Sequence, residues 1–436
     1  MKTISELYCQ AMTEYFGTNG KPLANLVMSI SSYTQAKSIV EYSESPVYHY
    51  QYSSISKLFA RLLKNVGNDT KEFEIQVQNF IKLYRPTENI IRTQLDVFPV
   101  YKPLSSTLPD RSAVYRPNVK INGQKPVEVG YNISSFNQGF DTKWSIPFSM
   151  QRVPTDKSAL QVGIEQIKYF LQSLPESHPL VVNVSDSSYG NAEFISSLYS
   201  EESFVNIARL KNRNVYQYSP KSNTRGANRI YGQAYNLSKI GAISYRKNPK
   251  TKELSTPKTS IELKVTDQIS EYLTQTIKGR CIKVTLKLHQ NMMLRSKNGF
   301  NMKDKPFDLV IVEHLDAKTL EPIHNKPIYL AVCGHEKNKL TLLESYQTHY
   351  LHRYDIEPNN RFIKHQLLLD KFQTCIESHF DLWLSVVQLS EWLLFIAADD
   401  IQNQPKKWQK YLPENQANTL KKITITQARK GATPFF

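Results

Sequence analysis

An α/β fold divided among several domains is predicted by three observations on this 436-residue sequence. Apolar residues recur three or four apart through the first 86 or so residues, the interval shortens toward two from Thr93, and strands then alternate with a helix between residues 180 and 211. The helical opening consists of ISELYCQAMTEYF, SYTQAKSIVEY, SSISKLFARLLKNV and KEFEIQVQNFIKLY, which together predict an all-α N-terminal domain over 1–88. TQLDVFPVY, PVEVGYNISSF and KWSIPFSMQRV read as three strands of a meander, bounded by Pro, Asn and Gly. A helix follows over 156–174, opened by Thr155 and Asp156 and closed at Pro175.

The apolar runs PLVVNVSDSSYG and SFVNIARLK, with the short helix NAEFISSLYS between them, predict a sheet with at least two buried parallel strands. The meander and these elements form the first part of a core over 89–210. A β-rich insertion over 211–325 is predicted from NRNVYQYSP, RIYGQAYNLS, GAISYRK, SIELKV, CIKVTLKLHQNMML and FDLVIVEHL, with DQISEYLTQTI as its one helix-compatible stretch. The strand KPIYLAVCG opens the second part of the core over 326–380, and C-terminal helices with a polar, basic tail occupy 381–436. Within them LWLSVVQLSEWLLFIAA is interrupted by Ser385, Gln388, Ser390 and Glu391, so it reads as a buried helix rather than a membrane span of ~20 apolar residues.

Charge narrows the partners. Lys and Arg number 55 against 39 Asp and Glu, a formal excess of +16 that suits a polyanion, nucleic acid ahead of an anionic membrane. The four cysteines contain no CxxC pair, which predicts neither a zinc module nor a disulfide framework. The N-terminus has no apolar core of signal-peptide length, so a cytoplasmic location is expected.

Asp186 ends the apolar run LVVNVSD, at the carboxyl end of a buried strand where open α/β sheets place ligands. Asp96 sits inside a strand-like run, where a core-facing charge costs several kcal/mol unless paired or metal-bound and a solvent-facing one costs little. Either acid could equally face water or close a turn. With Glu357 they make a trio of hard oxygen donors that suits Mg²⁺ or Mn²⁺ and phosphodiester chemistry. In an α-helix at about 100° per residue, Tyr350, Arg353, Glu357 and Lys364 fall at about 0°, 300°, 340° and 320°, on one face. That face is either a phosphate- and base-holding surface around a metal-binding carboxylate or an ordinary solvated helix, with Pro358 restarting or kinking it. Arg209, Lys211 and Arg213, at alternate positions after a strand, are a candidate DNA-contact strip or a charged edge, with Tyr216 and Tyr218 nearby.

Tyr350, Arg353, Glu357 and Lys364 form Y-x2-R-x3-E-x6-K, which resembles the YREK signature of DDE transposases from bacterial insertion sequences. VVNVSDSSYGNAEFI resembles that family's second-aspartate block. PVYKPLSSTLPDRSAVYRPN, GQKPVEVGYNISSF and WSIPFSMQRV resemble the surroundings of its first aspartate, so the similarity covers residues 30 to 400 in the right order. Phe98 stands two residues after Asp96 where the family has a small polar residue, and Asp110 in LPDR is a rival first acid.

The resemblance implies an RNase H-like catalytic core with the β-rich insertion between the second and third acids. It also implies two divalent ions on Asp96, Asp186 and Glu357, and double-stranded DNA as partner, both the element's terminal inverted repeats and the target. Tyr350, Arg353 and Lys364 would hold the terminal phosphates and a flipped base, and a homodimer is expected in the DNA complex. The alternatives are an inactive or repurposed copy that only binds DNA, and a metal-dependent nuclease without strand transfer.

Overall fold

The computed structural model describes residues 3–105, 107–115, 126–140, 144–221, 229–239, 251, 268–276, 279–324, 326–401 and 423–432. The stretches GAISYRK and SIELKV and most of the basic tail lie outside them. The fold is mixed α/β, with a helical N-terminal region, and it divides into two compact units. The first comprises Met1–Glu88, Gln94–Ile167 and Tyr354–Phe436, and the second Asn89–Thr93 and Lys168–Arg353. The N-terminal helices therefore share a unit with the predicted C-terminal helices, and the predicted 89–210 segment contributes to both units.

The first unit opens with α1 (Ile4–Tyr15), α2 (Gly20–Ser32), α3 (Ser53–Asn65) and α4 (Thr70–Lys82). A capping box starts α1, where Thr3 Oγ1 accepts from the Glu6 amide at 3.2 Å and Glu6 Oε2 accepts from the Thr3 amide at 2.7 Å. Strand β1 (Ile90–Tyr101) lies beside β3 (Val127–Gly139), which pairs antiparallel with both β2 (Ser112–Tyr115) and β4 (Ser145–Arg152). The expected meander is present, with β2 as an extra short strand. Helix α5 (Ala159–Gln172) follows it.

Helix α8 (Glu377–Ala397), which is preceded by α7 (Ile356–His365), is packed by α1, α2, α3, α4, β4 and α9 (Ile425–Ala432). It is apolar all round because it is covered all round, with Trp383, Val386, Leu389, Trp392 and Leu393 fully buried. Among the described residues α8 is the one helix long and apolar enough to cross a membrane, and 83% of its most apolar window is buried in the protein. Its polar groups join the strand it covers: Gln388 Nε2 donates to Phe148 O at 2.6 Å and Trp392 Nε1 to Pro147 O at 2.9 Å. Glu391 is fully buried, and desolvation lifts its carboxyl well above the ordinary range, with Asn359 of α7 as polar neighbour.

In the second unit β5 (Leu180–Ser185) runs parallel to β6 (Phe204–Arg209), with α6 (Ala192–Leu198) between them in sequence, as expected for two buried parallel strands. The sheet continues antiparallel from β6 through β12 (Ile328–Cys333) and β11 (Phe307–Asp316) to β10 (Cys281–Met293). Strands β7 (Asn214–Lys221) and β8 (Arg229–Asn236) form a hairpin attached to the end of β10. Alternate residues of β11 serve two cores. Phe307, Leu309 and Ile311 enter one, whereas Val310 and Val312 enter the other with Val182, Val184, Val205 and Ile207.

A polar row crosses this sheet inside the apolar layers. Thr93 Oγ1 donates to Asn183 Oδ1 at 3.2 Å, Asn183 Nδ2 to Asn206 Oδ1 at 2.8 Å, and Asn206 Nδ2 to Cys333 Sγ at 3.7 Å. All four residues are buried, so a slip of one strand would leave an amide facing hydrocarbon.

Two local expectations need correction. DQISEYLTQTI is not helical: Gln268–Gln275 forms β9, paired along β10, with Tyr272 turned to the core and Ile269 and Leu273 exposed on the opposite face. Residues 350–364 are not one uniform helix either. Glu344–His349 is π-helical, Tyr350–Asp355 is 3₁₀ and α7 begins at Ile356, with Pro358 in its first turn where a missing backbone donor is harmless. The single face computed at 100° per residue for Tyr350, Arg353, Glu357 and Lys364 does not hold.

Burial of Glu391 predicts a pH signature. Its folded pKa lies above the unfolded value near 4.5, so stability falls as pH rises from that value toward the raised one. Glu391→Gln keeps the shape and cannot ionise, and should therefore melt higher than wild type at pH 8, by roughly 2–4 °C for each kcal/mol recovered. The gap should close near pH 4.5, and thermal melts at the two pH values check it.

Candidate functional site

In the first unit α7 lies against the second half of β1 through three contacts. Asn360 Nδ2 donates to Asp96 Oδ2 at 3.2 Å, Lys364 Nζ reaches Pro99 O at 3.5 Å, and the same ammonium stands 5.9 Å from the centre of the Phe98 ring. The first and third acids of the expected trio are therefore carried by touching elements. Glu357 is exposed at the start of α7, and Asp96 is half-buried. Burial is the main influence that lowers the pKa of Lys364, and Asp370 partly offsets it. Phe98 is buried beneath this lysine and gives it an aromatic face.

Asp110, the rival first acid, is committed elsewhere in the same unit. Its Oδ1 accepts from the Thr155 amide at 2.9 Å and from the Thr155 hydroxyl, and its Oδ2 pairs with Arg152. Burial alone would raise its pKa, but these donors outweigh burial and lower it. Arg152 also pairs with Glu377 and, at 3.1 Å, with Asp381, and lies 5.1 Å from the centre of the Tyr131 ring. One guanidinium cannot compensate three acids. Desolvation, only partly countered by Arg152, raises Asp381, and burial pushes nearby Glu74 up to about 7 despite hydrogen bonds from Ser149 and Gln151.

Asp186 belongs to the second unit, one residue beyond β5. Its Oδ1 accepts from the Ser188 amide at 2.7 Å, and Asn191, at the end of the same turn, caps α6 by accepting from the Phe194 amide at 3.0 Å. The acid is half-buried at the carboxyl end of a parallel pair, as its position in the sequence predicts. Arg209, Lys211 and Arg213 do not line one strand face, because β6 ends at Arg209 and β7 begins at Asn214. Arg209 and Lys211 are exposed, whereas Arg213 is half-buried and its pKa is lowered by burial. Tyr216 and Tyr218 pack against the core beneath the β7–β8 hairpin.

Tyr350 and Arg353 also lie in the second unit, and both are buried. Tyr350 stacks on Tyr346 with ring centres 6.0 Å apart and belongs to the apolar core, while Arg353 is 8% exposed. In a 3₁₀ turn residues i and i+3 eclipse, which places this pair on the same inward side.

In the first unit the donors that could hold a Mg²⁺-type ion are the carboxylates of Asp96 and Glu357, with the buried Oδ1 of Asn360, which has no hydrogen-bond partner among the described residues, next to Asp96; in the second unit Asp186 offers a carboxylate of its own. Hard oxygen donors fit such an ion, which commonly takes one or two carboxylates and completes its shell with water and substrate phosphate. Among the described residues no group of three or more His, Cys, Asp or Glu side chains is gathered closely enough to hold a metal. No protein-family model matches the chain, and no curated protein matches it. Asn360 escaped the sequence analysis. Its one local signal is the pair Asn359 and Asn360, both poor helix formers, inside a helix.

The turn carrying Asp186 depends on Gly190, where a Cβ would stand 2.2 Å from the carbonyl oxygen of Arg209. Gly190→Ala should cost roughly 1–3 kcal/mol, because the obstructing atom is backbone and cannot rotate away. Hydrogen exchange should show lost protection in β5 and β6, with the fluorescence of Trp383 and Trp392 in the first unit unchanged.

Proposed function

We propose that this protein is a DDE transposase, which binds the ends of an insertion element and carries out DNA strand cleavage and strand transfer on an RNase H-like core. The observation that carries the reading is the contact of α7 with β1, which links the element bearing Glu357 to the one bearing Asp96 through Asn360 and Lys364. The chain order supports it: β1, then the antiparallel pair β3 and β4, then α5, β5, α6 and a β6 parallel to β5, follows the strand and helix succession of such a core. Asp186, just past β5, takes the place of the second acid. The excess of +16 suits a double-stranded DNA partner, and a homodimer on DNA belongs to the same reading.

When bound, two Mg²⁺ or Mn²⁺ ions would activate a water or 3′-hydroxyl and stabilise the leaving oxygen. The chain's own contribution is to present the acids from β1, from the end of β5 and from α7, and to keep cations nearby for the backbone. Lys364, Arg209 and Lys211 retain solvent contact and are assigned to phosphates. Tyr350 and Arg353 are inside the second unit, so a direct DNA role for them requires that they be uncovered when DNA binds.

The test sequences the DNA on both sides of the gene for inverted repeats and presents duplexes carrying those ends to the whole chain. Wild type should nick and join them in Mg²⁺, and Glu357→Gln and Asp186→Asn should bind them nearly normally while losing both steps by roughly 10²-fold or more, about 2.7 kcal/mol. Binding in chelator should weaken by about 10³–10⁵ between 50 and 200 mM salt if about 6–10 phosphates are contacted. Binding without any cutting would leave a DNA-binding protein, and cutting without joining a nuclease.

A further inference from the structure

Asn360 is 5% exposed and stands three residues after Glu357 on α7, so both project from neighbouring positions of one helix face. Its Nδ2 donates to Asp96 Oδ2 at 3.2 Å. A carboxylate only accepts, which fixes the amide: Nδ2 faces Asp96 and Oδ1 points away. That Oδ1 is buried without a hydrogen-bond partner among the described residues. An empty buried acceptor costs roughly 1–3 kcal/mol, and asparagine is also a poor residue for a helix interior. Leucine, with the same number of side-chain heavy atoms and the same branching though bulkier, would avoid both costs. An unfilled acceptor kept beside a proposed catalytic acid points to a donor that arrives with a ligand.

We infer that Asn360 is a positioning residue for the first acid. Its Nδ2 steadies one oxygen of Asp96 while that carboxylate binds a divalent ion, and its Oδ1 accepts a hydrogen bond from a water in the ion's shell. A neutral amide suits this task because it orients the acid without neutralising it, whereas lysine or arginine in its place would compete with the ion for the same negative charge. The inference rests on the transposase reading and extends it to a residue outside the YREK pattern.

The experiment titrates full-length protein with Mn²⁺, following free Mn²⁺ by electron paramagnetic resonance, and measures end nicking against Mg²⁺ concentration. Asn360→Leu should raise the Mn²⁺ dissociation constant and the Mg²⁺ requirement by roughly 10–100-fold, the usual effect of losing a partner of a metal-ligating carboxylate. End-DNA binding in chelator should be unchanged, and excess Mg²⁺ should restore much of the nicking. A merely structural residue would instead lower the melting temperature and the nicking rate at every metal concentration without moving the metal dependence, and that result overturns the inference. Should Asn360→Leu fail to fold, Asn360→Ser, whose hydroxyl is too short to span to Asp96, should show the same shift. Asp96→Asn separates the two ideas. If it abolishes Mn²⁺ binding while the Asn360 variants keep wild-type affinity, the inference alone falls. If it leaves Mn²⁺ binding untouched and wild type cuts no DNA, the transposase reading falls and takes the inference with it.

Discussion

A helix buried on every side needs partners for its polar atoms, and α8 draws several of them from distant parts of the first unit, although Trp383 Nε1 and Gln388 Oε1 stay without a hydrogen bond among the described residues. Its side chains reach the carbonyls of Pro147 and Phe148 in β4, and its own carbonyls at Leu389 and Ser390 accept from Tyr8 and Ser31 at 3.2 and 3.0 Å. The N-terminal helices and the β1–β3–β4 meander, far apart in sequence, are thus held to one element by hydrogen bonds as well as by apolar contact. Large buried side chains such as Trp383 and Trp392 each contribute roughly 1.5–3 kcal/mol or more, but a contact that is only apolar does not fix which turn of α8 meets which strand. The buried hydrogen bonds do.

The same logic sets the candidate site. Asn359 and Asn360 are adjacent on α7, one beside Glu391 of α8 and the other on Asp96 of β1, so α7 is pinned between the unit's central helix and the strand that carries Asp96. Glu357 is one turn upstream of that anchorage, with its side chain outside while the helix beneath it is fixed. Rigid presentation of an exposed carboxylate is what metal-assisted chemistry asks of a protein. The second unit reaches a similar end by other means, with the row from Thr93 to Cys333 fixing strand register and Gly190 letting the Asp186 turn close against β6.

Much of this was legible in the sequence, for reasons that also explain what was not. Strands β5 and β6 and helix α8 announced themselves because their apolar runs report burial directly, and the interruptions at Gln388 and Glu391 marked a helix in protein rather than lipid. Strand β9 misled because Ile269 and Leu273, four apart, satisfy a helical period, whereas their exposure and the inward Tyr272 belong to a pleated edge. The rotation assigned to residues 350–364 assumed one helix type, and the backbone changes from 3₁₀ to α within them, at Ile356. Asp96 and Asn360 are 264 residues apart, and nothing local to either encodes the pairing.

The polar row of the second unit also sets a schedule. Asn206 pairs with a cysteine 127 residues downstream, so a ribosome adding about 5–20 residues per second needs roughly 6–25 s to deliver it. Until then β6 is a nascent edge of the sheet, with a row of backbone donors and acceptors open to any passing strand. Whatever shelters that edge on the ribosome, whether a holding chaperone or the growing β10–β11 hairpin, decides how much of the newly made chain reaches the sheet and how much is lost to aggregation.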